Sequence, residues 1–260
     1  MIPRGREVVP RVISGAGCCK MLSRSIEDYI KAIYALESEE EKASTKQLAQ
    51  RLGVKMASVT GMVKHLASEG FLSHTPYYGV KLTERGKRVA LGMIRRHRLI
   101  ELFLAKTLGL TWDEVHNDAE ILEHAVSDRL IERIHEVLGF PQFDPHGSPI
   151  PGKDGSLPPS RGVRLDEMQV GDRGKIIEVY DRDPEFLRYL TSLRLKIGTS
   201  LRVRDRAPFN GPITLSVGDR TVAIGHEAGA RIRVAVEQVE KSGRPRRPSP
   251  LTKVGRNAIE

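Results

Sequence analysis

Residues 141–160 read PQFDPHGSPIPGKDGSLPPS, and their six prolines separate two incompatible periodicities. Proline lacks the N–H that the interior of a helix or a β-ladder requires, so no regular element crosses this stretch. Before it, apolar residues recur every three or four positions, the helical period. After it they alternate, the strand period. A chain punctuated in this way folds as a mainly α part followed by a small β part.

The helical part has an order of its own. Residues 22–38 carry Ile26, Ile30, Ile33 and Leu36 as one apolar stripe, with Asp28 off it. STKQLAQRLG follows, with Ser44 or Thr45 as N-cap and Gly53 as the stop. MASVTGMVKHLASEG carries Val59, Val63 and Leu66 at helical spacing and ends at Gly70. FLSHTPYYGVKLT reads as two short strands around a turn. Helix, turn, helix and hairpin in that order describe a winged helix-turn-helix. A long helix is expected from Thr83 to Leu108, stopped by Gly109, and Thr111 with Glu114 has capping-box spacing. DRLIERIHEVLG places Leu130, Ile131, Ile134 and Leu138 on one face. These helices find few partners within the chain, which favours a helical dimer interface. Beyond Gly162, five segments (GKIIEVY, TSLRVRD, PITLSV, RTVAIG and ARIRVAV) read as strands, with PEFLRYLTSL as an intervening helix and Gly218-Asp219 as a hairpin turn. Five short strands in so few residues suggest an SH3-like barrel.

The expected domains are a disordered extension at 1–21, the winged helix-turn-helix at 22–90, a helical metal-binding and dimerisation domain at 91–140, a linker at 141–161, the SH3-like domain at 162–238 and a basic disordered tail at 239–260. Met21, just ahead of the first patterned helix, is a candidate for the true start, which N-terminal sequencing would test. No apolar run is long enough to span a membrane, and no secretory signal is evident. The two cysteines, Cys18 and Cys19, are adjacent and form no disulfide framework, which fits a reducing cytoplasm. The net charge of +9 is concentrated at the ends, with +5 in the last twenty residues and +3 in the first twenty. Such ends add non-specific phosphate affinity or simply solubilise the chain.

In a helix-turn-helix the second helix enters the major groove, led by its N-terminal residues. Here these are Lys55, Ala57, Ser58, Thr60 and Gly61, with Lys64 a turn later and Tyr77, Tyr78 and Lys81 on the wing. Serine and threonine bond phosphate or base edges, and small apolar side chains touch a thymine methyl. Gly61 inside a helix costs about 1 kcal/mol against alanine, which is reasonable where backbone must approach DNA. The bland alternative is an ordinary helical hairpin with polar faces.

The stretch HNDAEILEHAVSD puts His116, Glu120, Glu123 and His124 at i, i+4, i+7 and i+8. If it is one helix, they share a side. His97 and Glu101 repeat the i, i+4 spacing. Either these are charges on solvated helix faces, or they are metal ligands. Carboxylate and imidazole suit divalent Mn, Fe, Co or Zn, and the absence of thiolate argues against a soft site.

These residues resemble the diphtheria-toxin-repressor/manganese-transport-regulator family of metal-dependent transcriptional repressors. IEDYIKAIYALE, ASVTGMVKHLASEGFL, LTERGKRVA, HRLIELFL, NDAEILEHAVSD and DPHGSPIPGKDG look like family blocks in the family's order, over about residues 22 to 236. The C-terminal part looks like the SH3-like (FeoA-like) domain of long-form members. The resemblance implies a primary metal site of Asp28, Glu120, Glu123 and His124. It implies an ancillary site drawing on His97, Glu101, His116, Asp144, His146 and Asp181. Asp28 and Glu120 stand where the iron-responsive branch has Met and Cys, which points to Mn²⁺. One departure is Lys31, where short manganese regulators carry a glutamate. A charged lysine cannot ligate and repels a second cation, so two separated sites are expected rather than a binuclear cluster. The expectation is a cytoplasmic homodimer that binds a palindromic operator in double-stranded DNA and represses metal-uptake genes when loaded with Mn²⁺, with Fe²⁺, Co²⁺ or Zn²⁺ as possible substitutes. The rivals are an iron-responsive repressor of the same family, a metal-dependent hydrolase or nuclease, and a drug- or redox-sensing regulator whose carboxylates are structural.

Overall fold

A computed structural model describes residues 22–39, 43–75, 79–159, 161–180 and 183–237. The expectations for the extension at 1–21, the tail at 239–260, Tyr77, Tyr78 and Asp181 lie outside the described residues. The chain forms two compact units. The first runs to His97 and includes Ile121–Ser127 and Pro151–Ser156; the second holds the remainder.

In the first unit, α1 (Arg24–Glu39) buries Ile30, Ile33 and Leu36. Next comes α2 (Thr45–Leu52), capped by Ser44: its Oγ accepts from Gln47 N at 3.2 Å while Gln47 Oε1 accepts from Ser44 N at 2.9 Å. Gly53 closes that helix in the left-handed conformation. Helix α3 (Met56–Ser68) turns Val59, Val63 and Leu66 into the same core. The strands β1 (Leu72–Thr75) and β2 (Gly79–Leu82) pair antiparallel, Leu72 opposite Leu82. Then α4 (Glu84–Leu108) begins, burying Ala90, Met93 and Ile94. This is the winged helix-turn-helix read from the periodicity.

The second unit takes the rest of α4 from Arg98, most of α5 (Val115–Leu122) and all of α6 (Asp128–Val137). Thr111 N and Oγ1 donate to Glu114 Oε2 at 2.9 and 2.8 Å, ordering the turn into α5. HNDAEILEHAVSD is not one helix. It stops at Leu122, whose carbonyl accepts from both Ala125 N and Val126 N at 2.9 and 3.0 Å. That shared carbonyl tightens the last turn in the 3₁₀ manner, so Glu123 and His124 project from a turn rather than a helix face.

The remaining strands form one antiparallel sheet in the order β3-β8-β4-β5-β6-β7: β3 (Val163–Arg164), β4 (Arg173–Val179), β5 (Ser200–Arg206), β6 (Ile213–Val217), β7 (Arg220–Ile224) and β8 (Ile232–Val236). Five of them are the expected segments. The two-residue β3 is too short to show alternation in sequence. Helix α7 (Pro184–Ser192) starts at Asp183, whose Oδ1 accepts from Glu185 N at 2.8 Å, and buries Leu187 and Leu190 with Ile176, Val203, Leu215 and Val234. A short α8 (His226–Ala230) precedes β8. The fold is therefore mainly α with a small β domain.

Candidate metal centre

Three of the four expected primary ligands, Asp28, Glu123 and His124, come together in the first unit, and three of the expected ancillary ones, Glu101, Asp144 and His146, in the second; Glu120 joins neither group. In the first unit Asp28 lies on α1, and Glu123 and His124 lie in the turn after α5. Each can offer a ligand atom within 4.8 Å of the others. The environment of His124 decides what the group can do. Its Nδ1 lies 2.7 Å from Glu27 Oε2, so in the neutral ring that nitrogen carries the proton and donates it. Its Nε2 is then a bare lone pair. That atom is buried and has no hydrogen-bond partner. It sits 3.0 Å from Asp28 Oδ1 and 3.6 Å from Glu123 Oε1, three electron-rich atoms facing one another. A carboxylate holding the far nitrogen of a histidine so that the near one is free is the usual outer-shell arrangement of a ligating imidazole. The residues therefore fit a divalent cation.

Glu123 is fully buried and is compensated within the protein. Lys31 Nζ donates to its two oxygens at 2.7 and 3.0 Å, and His97 Nδ1 lies 2.6 Å from Oε2. Lys31 Nζ is also 3.5 Å from His97 Nδ1. The ammonium thus stands beside the carboxylate and imidazole of this cluster, as a tethered positive charge.

In the second unit, Glu101 of α4 meets Asp144 and His146 of the proline-rich loop, all three buried. Asp144 Oδ1 accepts the N–H groups of His146 and Ser148, both at 2.9 Å. Oδ2 faces Arg98 Nε at 3.6 Å. His146 Nε2 donates to the carbonyl of Trp112 at 2.7 Å, and the two rings stack with centroids 5.9 Å apart. That tautomer leaves Nδ1 unprotonated and 3.9 Å from Glu101 Oε2. Burial, and then the charge of Glu101, push Asp144 up to about 6; Arg98 opposes them. The tight turn depends on Gly147, whose φ is +83° and where a Cβ would fall 1.9 Å from the Ile177 carbonyl oxygen. The three side chains line a cavity of about 320 Å³, and this cluster too fits a cation.

The other expected ligands divide between the units. His97 belongs to the first, against Glu123. His116 and Glu120 belong to the second, 3.8 Å apart on α5, with His116 Nδ1 3.2 Å from Glu101. Sequence reasoning missed Glu27, Arg98 and the Trp112 carbonyl. Glu27 had one available signal: it neighbours Asp28, and a ligating histidine needs an orienting acceptor. Arg98 had none, because its partner is 46 residues away in sequence.

Lys55 at the N-cap of α3, and Ala57, Ser58, Thr60, Gly61 and Lys64 on it, are all exposed, as is Lys81 on β2. Thr60 Oγ1 donates to the Met56 carbonyl at 3.0 Å. A Cβ at Gly61 would meet nothing within 4 Å, so no intrachain packing demands a glycine there. Val54 and Met56 are apolar and exposed at the start of this helix, which the polar reading of the surface overlooked.

Residues 21–80 match the family described as iron dependent repressor, N-terminal DNA binding domain. Residues 83–152 match its metal binding and dimerisation domain, and residues 163–236 match the FeoA domain. The diphtheria toxin repressor of Corynebacterium efficiens is 30% identical over 71% of this chain and 84% of its own length. The regulator MntR of Bacillus velezensis is 36% identical over 48% of this chain and 87% of its own. A solved manganese-dependent transcriptional repressor in complex with manganese is 43% identical, with a TM-score of 0.75 over 81% of this chain and 99% of that one. These relatives are transcriptional regulators, not enzymes, so the hydrolase alternative falls. No helix among the described residues is long and apolar enough to cross a membrane. The chain belongs to the iron-dependent repressor family of metal-dependent transcriptional regulators, in the form that carries a C-terminal FeoA domain.

Proposed function

We propose that this protein is a cytoplasmic, Mn²⁺-activated repressor that binds a palindromic operator as a homodimer. The observation that carries the reading is the buried, unpartnered Nε2 of His124, facing Asp28 and Glu123. All three donors are hard or borderline, with no thiolate or thioether among them, which favours Mn²⁺ over softer ions. The related structure solved with manganese supports the same choice.

Asp28, Glu123 and His124 are the proposed primary ligands, and Glu101, Asp144 and His146 the ancillary ones. When bound, the ion supplies positive charge among carboxylates and an imidazole whose lone pairs otherwise confront one another. Asp28 lies on α1, which packs against the helix-turn-helix core, so drawing Asp28 to His124 and Glu123 fixes the reading head on the turn after α5. Glu27 keeps the His124 lone pair pointed inward. Lys31 neutralises Glu123 and limits the primary site to one ion. Leu130, Val137 and Phe140, exposed on and after α6, supply the dimer contact. Two recognition helices held about 34 Å apart then enter successive major grooves.

The test uses chelator-stripped protein and duplexes selected from a random library. Binding is titrated separately with Mn²⁺, Fe²⁺ and Zn²⁺, with Glu123→Ala and the partly exposed Asp28→Ala alongside. The expected result is DNA binding only with metal, Mn²⁺ the most effective, and loss in both variants. Equal binding by the metal-free protein would remove the clusters as the switch.

A further inference from the structure

The small β domain carries a face with a cationic excess, four basic side chains against the exposed Asp205 and Glu237. On β4, Arg173 and Lys175 point outward while Gly174 and Ile176 point in. On β5, Arg202 and Arg204 point outward while Leu201 and Val203 point in. Arg173 stands directly opposite Arg202, and Lys175 opposite Ser200. Arg204 donates to Ser216 Oγ at 3.3 Å, which keeps it on the same face, since Ser216 pairs with Arg202. Like charges directly opposite on neighbouring strands are destabilising. Among the described residues none of the four makes an ion pair. Glu237, whose N–H donates to the Arg173 carbonyl at 2.8 Å, forms none with them. Arg202 Nε is buried without a hydrogen-bond partner.

Like charges set opposite one another bring the sheet no stability of their own, and Arg202 Nε is buried without a hydrogen-bond partner, so the face points to an anionic occupant. Strand spacing of about 4.8 Å and alternate-residue spacing of about 6.7 Å spread them as a lattice over an exposed sheet, not as a pocket closing on one small anion. The chain's own C-terminal segment is excluded by sign: residues 241–260 carry six basic residues against one acid, adding to the positive charge beyond β8. A regular polyanion meets both requirements, and duplex DNA presents one negative charge per about 1.7 Å of axis. We infer that the β4–β5 face of the FeoA domain is a second, sequence-independent DNA contact, engaging phosphates outside the segment read by α3. This inference rests on the proposed function, which brings the protein to DNA.

The experiment compares the full-length wild type with Lys175→Ser/Arg202→Ser/Arg204→Ser, and with a charge-keeping control, Lys175→Arg/Arg202→Lys/Arg204→Lys. All three proteins are loaded with Mn²⁺ and titrated against the selected duplex, either trimmed to its protected core or extended on both sides, across a salt series. Each phosphate that a side chain no longer neutralises lowers the slope of log K against log salt by about 0.9. The expected result is a slope shallower by up to about 5 for the serine variant on the extended duplex, three charges being lost from each of two protomers. The slope on the core is unchanged, the control matches wild type, and circular dichroism and Mn²⁺ affinity are unaltered. Unchanged slopes on both duplexes overturn the inference, as does binding to phosphatidylserine vesicles that the serine variant loses while its DNA binding is intact. Should the selection recover no metal-dependent sequence, the proposed function falls. The same variants on a mixed-sequence duplex still decide the role of this face.

Discussion

At the residue scale, the proposed primary metal site turns on two side chains outside its proposed ligand set. Glu27 accepts the Nδ1 proton of His124 and so selects the tautomer whose Nε2 faces Asp28 and Glu123. Outer-shell partners of this kind are typically worth 10- to 100-fold in metal affinity. Glu27→Gln is expected to weaken Mn²⁺ binding by about that factor without unfolding the protein, as read by calorimetric titration. Lys31 is the second. It is nearly buried and neutralises a carboxylate with no solvent contact. Removing one partner of a buried pair strands the other charge, at a cost of about 3 kcal/mol or more. Lys31→Met is expected to lower the denaturant stability of the metal-free protein by roughly that amount. The deficit should shrink when Mn²⁺ is added, because the ion takes over the neutralisation of Glu123. A deficit that persists unchanged with Mn²⁺ would mean that Glu123 does not face the ion.

At the element scale, the proposed DNA contact has α3 trade stability for access. Gly61 sits mid-helix with open space where a side chain would go. Gly61→Ala should therefore stabilise the protein by about 1 kcal/mol through helix propensity. The same methyl stands on the exposed face that carries Lys55, Ser58 and Thr60, so it is expected to weaken DNA binding. A thermal melt and a DNA titration on the same preparation read both effects. A stabilised variant with unaltered DNA affinity would place the duplex on some other surface. The turn after α5 shows the converse economy. Ending the helix at Leu122 frees Glu123 and His124 from helical geometry and lets them reach α1, which residues held on an α5 face would not share.

At the scale of the whole molecule, the second cluster gathers α4, the Trp112 carbonyl and the proline-rich loop. Asp144 is raised to about 6 by burial and by Glu101. In the metal-free protein the protonated form is thus favoured by folding. That contribution is fully present below the unfolded value near 3.8 and is lost as pH rises through about 6. A cation requires the carboxylate, so Mn²⁺ affinity at this site should be level above pH 6 and fall below it, with proton release on binding. Trp112, the one tryptophan, stacks on His146, and its fluorescence is the reporter for that titration. Asp144→Asn should abolish the response while leaving the response of the first cluster.

By itself the sequence determined the architecture: the helical and alternating periods, the Ser44 and Thr111 caps, the Gly53 stop and the prolines that keep 141–160 free of regular structure. These are local signals, settled by backbone sterics and by burial of one face, and each acts within a few residues. It also supplied the donor types and, through the resemblance, the residues from which each group draws, but it did not separate Glu120 from Asp28, Glu123 and His124. Tertiary structure decided the rest. Whether Glu123 projects from a helix or a turn, which nitrogen of His124 is free, why Lys31 is buried, and that Asp144 faces Arg98 all depend on side chains far apart in sequence. Spacing carries no record of such encounters, because the energy of a buried charge is fixed by every group that surrounds it and not by its neighbours along the chain.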